Sequence, residues 1–301
     1  MATTLTLSNE IYEPSGWENV ACPFCGSSIK TPYECFGYKL KFTYVRCLDC
    51  TLVYQTPRPI YDNQFVNVAY ENYVPDLNNV YFNDNGLLPD GKELADRATK
   101  LIEEIELFAP LRGRLLDIGC HVGLLCKSAS ERGWKSTGID ISNAMVQTAI
   151  KRFGVDARVG DWTQMSFEGL FDAIICNHVL EHIPNPTYWL TKMKSILAPG
   201  GVICLSFPNI DSLENRFKHQ MNMIGLKKLS EWEPWRTPDH LCEPNEASFL
   251  RLIQGLGLKV VQVQTYSNKE GGSDGWLKKT YHQKFRLGTK LRFLLTSEDN
   301  R

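Results

Sequence analysis

The chain reads as a doubly wound α/β fold with a mostly parallel sheet, preceded by a small cysteine-bearing ribbon. Three observations carry that expectation. Strand and helix signals alternate from residue 114 onward. A glycine-broken loop, "LLDIGCHVGLL" (115–125), follows the first of those strands. Two C-x-x-C knuckles stand near the N-terminus.

The knuckles come first in the chain. "CPFC" holds Cys22 and Cys25, and "CLDC" holds Cys47 and Cys50, with 21 residues between Cys25 and Cys47. Each knuckle offers two thiolates to one tetrahedral ion, so the pair completes a closed four-sulfur site, expected to hold structural zinc. The gap slightly exceeds the usual ribbon range of about 15–20 residues. It still suits a hairpin, and "YKLKFTYVR" alternates like a strand. Four unligated cysteines are the plain alternative. The module is placed at 1–60.

Residues 61–91 read as a connector or lid, and the stretch from 51 as having short helical pieces. Tyr61, Tyr70, Tyr73 and Tyr81 there could close over a site or simply pack. Apolar residues at 94, 98, 101, 102, 105 and 108 give a helix over 92–108.

Next comes the alternation itself. "RLLDI" is a strand and "VGLLCKSASER" a helix ended by Gly133. "KSTGID" is a strand, and "SNAMVQTAIKRF" a helix capped by Ser142 and ended by Gly154. "VDARV" and "FDAIICN" are strands, and "PTYWLTKMKSIL" is a helix stopped by "APGG". "GVICLSF" is a strand, "EPNEASFLRLIQGLG" a helix and "LKVVQVQTY" a strand. A seventh strand lies at either "KKTYHQKF" or "KLRFLLT". Residues 209–239 are longer than a plain connection and suit a lid insertion within a main domain at 92–301.

Ligands in such folds bind outside the carboxyl ends of the strands, where strand order reverses, and the loop after Asp117 falls there. A tight glycine turn does not by itself choose between NAD, FAD and S-adenosylmethionine. Asp140, 23 residues after Asp117, ends the second strand, where a carboxylate takes ribose hydroxyls.

The set "LLDIGCHVGLL", "GIDIS", "GDW", "FDAIICNHVLEHIPNP" and "LAPGGVICLSFPN" resembles the class I S-adenosylmethionine-dependent methyltransferases over about residues 92–265. With the cysteine ribbon and "RCLDCTLVYQTPRP", it is similar to bacterial methyltransferases acting on sugars and other small metabolites. The resemblance implies a Rossmann-like methyltransferase fold and a role for each matching residue. The loop of Asp117, Gly119, Cys120, His121 and Gly123 meets the methionine end of the cofactor. Asp140 takes the ribose, and Ile141 packs on adenine. Asp161 accepts from the adenine amino group, with Trp162 beside the ring. Asn177 lies by the sulfonium. His121 departs from the family pattern, which most often has glycine there.

Methyl transfer to a hydroxyl benefits from a base near neutral pKa, and histidine is the usual choice. His178 follows the fourth strand, His182 sits in "LEHIP", and His240 precedes the last long helix. His240 is the expected base and His178 a substrate contact. His182 is either catalytic or part of a structural turn.

The expected reaction is methylation of a small-molecule hydroxyl, with a sugar or glycan precursor first. Sugar C- or N-methylation, or RNA methylation with the ribbon as grip, are the alternatives. The net charge is −1, and residues 20–50 carry four Lys/Arg against two acids, a weak phosphate footprint. No apolar run of about 18 residues suggests a membrane span. Ten cysteines without a secretory leader point to the reducing cytoplasm. Association as a homodimer is compatible with all of this.

Overall fold

The computed structural model describes residues 15–36, 42–62, 82–83, 86–87, 89–226, 239–267 and 288–298. Tyr70, Tyr73, Tyr81, the stretch 227–238 of the expected lid and the tail segment 268–287 lie outside them.

The strands in chain order are β1 (Trp17–Glu18), β2 (Lys30–Phe36), β3 (Phe42–Cys47), β4 (Val53–Gln55), β5 (Arg58–Pro59), β6 (Phe82–Asn83) and β7 (Gly86–Leu87). These are followed by β8 (Arg114–Ile118), β9 (Lys135–Asp140), β10 (Asp156–Val159), β11 (Phe171–Asn177), β12 (Leu197–Pro208), β13 (Cys242–Glu243), β14 (Leu258–Tyr266) and β15 (Lys290–Ser297). The helices are α1 (Pro89–Glu106), α2 (Leu124–Glu131), α3 (Asn143–Phe153), α4 (Pro186–Ser195), α5 (Leu213–Met223) and α6 (Glu246–Ile253).

Seven strands form one sheet in the order β10-β9-β8-β11-β12-β15-β14, parallel except for β15. Chain order reverses at β8, between β9 and β11, and the ligand crevice of such folds lies there, beyond the strand ends. The doubly wound expectation is therefore met, and "KLRFLLT" supplies the seventh strand.

Alternation along the strands divides the core. Leu115, Ala173, Ile175, Val202, Cys204 and Leu294 face one side, under Leu101, Ile102 and Ile105 of α1. Leu116, Ile118, Ile174, Cys176, Leu205 and Phe293 face the other, against Leu190 of α4 and Phe249 of α6. The period of two follows from the pleat, and burial on both faces explains the nearly continuous apolar runs.

Helix ends follow local chemistry. Ser142 caps α3 by accepting from the Met145 N–H, and Asn245 and Ser248 form a reciprocal capping box on α6. Several boundaries differ from expectation. The helix expected over 243–257 runs only Glu246–Ile253, behind a strand at Cys242–Glu243. β12 begins at Leu197 rather than after the glycines, with its register to β11 shifting between Phe171 and Ala173. Residues 53–55 and 58–59 are strands, not helical pieces.

The cysteine ribbon is continuous with the main body. Its sheet runs β13-β4-β3-β2, so β13, from just before α6, supplies the last strand. Cys242 pairs with Tyr54 and Glu243 with Val53. Cys22, Cys47, Cys50, Leu52 and Tyr54 share one apolar cluster with Leu205 and Phe249.

Candidate active site

β8 delivers Asp117 to the crevice floor, where it is 1% exposed. Burial pushes its carboxyl up to about 7, against the Cys126 thiol contact that lowers it, and the nearby charge of Asp140 adds a smaller push upward. Its Oδ1 is buried without a hydrogen-bond partner among the described residues. A buried acceptor of this kind is costly unless something arrives to donate to it.

The chain then turns through Gly119, at φ +76°, a left-handed conformation that suits glycine. A Cβ there would also meet Val179 Cγ2 at 2.5 Å, so this loop lies directly against the turn after β11. Both Gly119 and Cys120 donate their N–H groups to the Ile139 carbonyl, at 2.8 and 3.0 Å. The Cys120 side chain points away from the crevice, packing over Gly138. Gly123, at φ +79°, opens α2.

Asp140, at the end of β9, uses its two oxygens separately. Oδ2 accepts from the His121 N–H at 2.8 Å and Oδ1 from the Ser142 N–H at 2.9 Å. This carboxylate thus ties the glycine loop to the start of α3, and each oxygen retains capacity for a further donor. His121 sits at φ +49°, and burial lowers its pKa against the opposing pull of Asp140. Its left-handed backbone explains why glycine is the easier residue at this position.

Asp161 is exposed and accepts from the Thr163 N–H and hydroxyl, at 2.8 and 2.7 Å. Tyr61 from the connector lies close enough to be affected. Burial first, and then the Asp161 charge, push its phenol up to about 12. Trp162 is 2% exposed and meets the Trp189 ring edge-on at 5.2 Å, so its ring forms part of the core beneath the crevice. Ile141 is half-buried beside Asp140. Asn177 Oδ1 at the end of β11 is a second buried acceptor without a partner among the described residues.

The turn after β11 gathers all three candidate histidines. His178, at φ +57°, places Nδ1 3.4 Å from Glu181 Oε1 and Nε2 3.3 Å from the Tyr266 hydroxyl. The His182 ring meets that of His240 edge-on at 4.7 Å, and its Nδ1 lies 2.9 Å from the Asp239 carbonyl. His240 Nδ1 lies 2.8 Å from Glu243 Oε1. Between them is Glu181, 1% exposed. Burial alone would raise its carboxyl, but the His178 hydrogen bond and the charges of His182, His178 and His240 hold it down at about 2. Ligand atoms of Glu181, His182 and His240 all lie within 4.8 Å of one another, so this group could hold a cation.

Glu181 is the main residue that sequence reasoning missed. It stands beside His182 in "LEHIP", and only the 3-10 turn Leu180–His182 aims it inward. Tyr266 was missed as well, because its contact with His178 spans 88 residues.

The four ribbon cysteines converge, with Cys22 Sγ 3.4 Å from Cys50 Sγ and Cys25 Sγ 3.6 Å from Cys47 Sγ. A tetrahedral ion with sulfur ligands at about 2.3 Å needs sulfurs about 3.8 Å apart, so the donor set fits a metal.

A family model described as "Methyltransferase domain" matches residues 92–263. The chain belongs to this methyltransferase family. Ubiquinone biosynthesis O-methyltransferase of Dechloromonas aromatica (strain RCB) is 32% identical over 165 residues, covering 52% of this chain and 69% of that protein. The protein of the same name from Xanthomonas axonopodis pv. citri (strain 306) is 37% identical over 180 residues, covering 47% and 75%. Among solved structures, magnesium protoporphyrin IX methyltransferase from Synechocystis PCC 6803 with bound SAH is 16% identical. It covers 67% of this chain and 82% of that one at a TM-score of 0.48. The chain is an S-adenosylmethionine-dependent methyltransferase, as its motifs led one to expect. Similarity to sugar methyltransferases has no counterpart among these relatives, which are named for ubiquinone biosynthesis.

Proposed function

We propose that the protein moves the methyl group of S-adenosylmethionine to a hydroxyl oxygen of a small molecule. One observation supports the hydroxyl above all. Three histidines gather around the buried Glu181, on the turn that touches the glycine loop. The acceptor oxygen attacks the methyl carbon in line as the carbon–sulfur bond breaks. Bound S-adenosylmethionine would supply a methyl carbon activated by its sulfonium and would leave as a neutral thioether, while the hydroxyl proton would pass to an imidazole. His240, oriented by Glu243, is the base in this reading, and His178 contacts the acceptor. The relatives' names add the O-methyl outcome, and only the oxygen is carried over from them.

In the same reading, Asp117 Oδ1 receives the cofactor's ammonium group, with Gly119, Cys120, His121 and Gly123 forming the wall around it. Asp140 receives the ribose, Ile141 and Asp161 meet adenine above the Trp162 floor, and Asn177 faces the sulfonium. Structural zinc sits on Cys22, Cys25, Cys47 and Cys50. The chain divides into a ribbon at 1–60, a connector at 61–91 and a catalytic domain at 92–301.

The test offers methyl-labelled cofactor with a panel of catechols, sugars and primary amines. Label in an ether, lost by about 10²–10⁴-fold in His240→Ala, is the expected result. Label entering only amines overturns the hydroxyl reading. A second reading is favoured by the closeness of Glu181, His182 and His240. A divalent cation held there would lower the acceptor's pKa directly. In that case turnover follows added Mg²⁺ or Mn²⁺ while the ribbon metal content stays constant.

A further inference from the structure

The ribbon reaches the candidate base through specific hydrogen bonds. The Tyr44 hydroxyl donates to the His240 carbonyl at 2.6 Å, and Gln55 Nε2 donates to the same oxygen at 2.8 Å. One carbonyl therefore has both lone pairs engaged by two ribbon side chains. Gln55 Nε2 also donates to the Tyr44 hydroxyl at 3.3 Å, which closes a triangle. Tyr44 and Gln55 are directly opposite each other on β3 and β4, and both are fully buried.

The neighbouring backbone is fixed in the same way. The Gln55 N–H donates to the Leu241 carbonyl at 3.0 Å, and Cys242 pairs with Tyr54. A second contact reaches the other side of the histidine pair. Arg58 Nη1 donates to the Pro184 carbonyl at 3.4 Å, two residues after His182, while its Nε holds Glu18 at 2.7 Å.

We infer that Tyr44 and Gln55 are positioning residues for His240, setting from within the cysteine ribbon where its imidazole stands relative to Glu181 and His182. The inference rests on the reading of His240 given above. Its physical basis is leverage. With the carbonyl fixed, Glu243 and the His182 ring select one orientation of the imidazole. With the carbonyl released, the whole residue shifts, and a misplacement of about 1 Å costs on the order of 10²-fold in rate. The same strand carries Cys47, three residues from Tyr44 or about 10 Å along β3, so the ribbon's metal site and His240 are joined by one rigid element.

The test is the pair of substitutions Tyr44→Phe and Gln55→Met, made together in wild-type and in His240→Ala protein. The acceptor is catechol, or whichever acceptor in the panel proves best. In the wild-type background kcat should fall about 10–10²-fold with the cofactor KM unchanged within about twofold. In the His240→Ala background the added loss should be under about threefold, because the group being positioned is already gone. Equal losses in both backgrounds, or no loss in the first, overturn the inference.

A second readout needs no turnover. The His240 imidazole resonances of the SAH-bound, histidine-labelled protein, read at one fixed pH, should move in the double variant. They should not move in Val45→Ala, a ribbon-core control chosen for a similar loss of melting temperature. Full activity of His240→Ala would sink the base reading alone, and unmoved resonances would then still decide against the positioning role.

Discussion

Replacing Asp117 by asparagine should make the ligand-free protein more stable at alkaline pH and a poorer binder of the cofactor. The carboxyl is pushed up to about 7 from an ordinary value of 3.8, with burial as the main cause, the Cys126 contact opposing it and the Asp140 charge adding a smaller rise. A folded-state pKa raised above the unfolded one contributes stability that is fully present below pH 3.8. That stability declines as pH rises and is gone once pH passes about 7. The difference is worth up to about 4 kcal/mol. Asparagine never carries the charge, so the variant should match wild type near pH 4, exceed it increasingly up to about pH 7 and hold that lead at pH 8.5. The gain should be several degrees in melting temperature. Wild type should recover the difference when the cofactor's ammonium group meets Asp117 Oδ1, since a charge-assisted bond favours the ionised form. SAH affinity should therefore fall about 10–100-fold in the variant, read by calorimetry at pH 8. Thermal melts at pH 5 and pH 8.5 decide the first half. An asparagine variant destabilised equally at both would show that the carboxyl is not held in its neutral form by burial, and the reasoning would fail.

The remaining predictions are simpler. Asp140→Ala should weaken SAH binding more than Asp161→Ala, because Asp140 also holds the His121 and Ser142 N–H groups while Asp161 holds only its own turn. Calorimetry giving equal or reversed losses would mean that the ribose lies elsewhere. Gly138→Ala should cost about 1–3 kcal/mol by chemical denaturation, since its Cβ would stand 2.7 Å from the Cys120 sulfur and 2.9 Å from that of Cys126. Cys47→Ser should remove the bound metal, seen by elemental analysis. It should also lower the melting temperature of the whole chain in one transition, because Cys47 shares its apolar cluster with Leu205 and Phe249. A separate early transition would show the ribbon to be independent.

What could be read from the sequence depended on the range of the interactions involved. β8, β9, β11 and β14 were legible to the residue: β8 and β11 are apolar runs ended by the Gly119 turn and by Asn177, β9 lies between the Gly133 stop of one helix and the Ser142 cap of the next, and β14 alternates after Gly257, all local signals. The cofactor loop was legible for the same reason, including the oddity of His121. The ribbon's fusion to the main body was not. β13 is two residues long, too short to show any period, and its partner Tyr54 lies far back in the chain. Glu181 was hidden differently. Its neighbours named it as part of a turn, but its inward direction comes from one turn of 3-10 helix whose outcome depends on burial by the rest of the fold.

The pairing of Cys242 with Tyr54 also has a consequence for synthesis on the ribosome. The ribbon emerges early, but the outer edge of Val53–Gln55 has to wait for a strand about 190 residues downstream. At translation rates of about 5–20 residues per second, that edge stays open for roughly 10–40 seconds. An unpaired, apolar strand edge is a template for wrong partners over that interval. Slowing translation between the two segments should therefore lower the yield of active protein more than slowing it after residue 243.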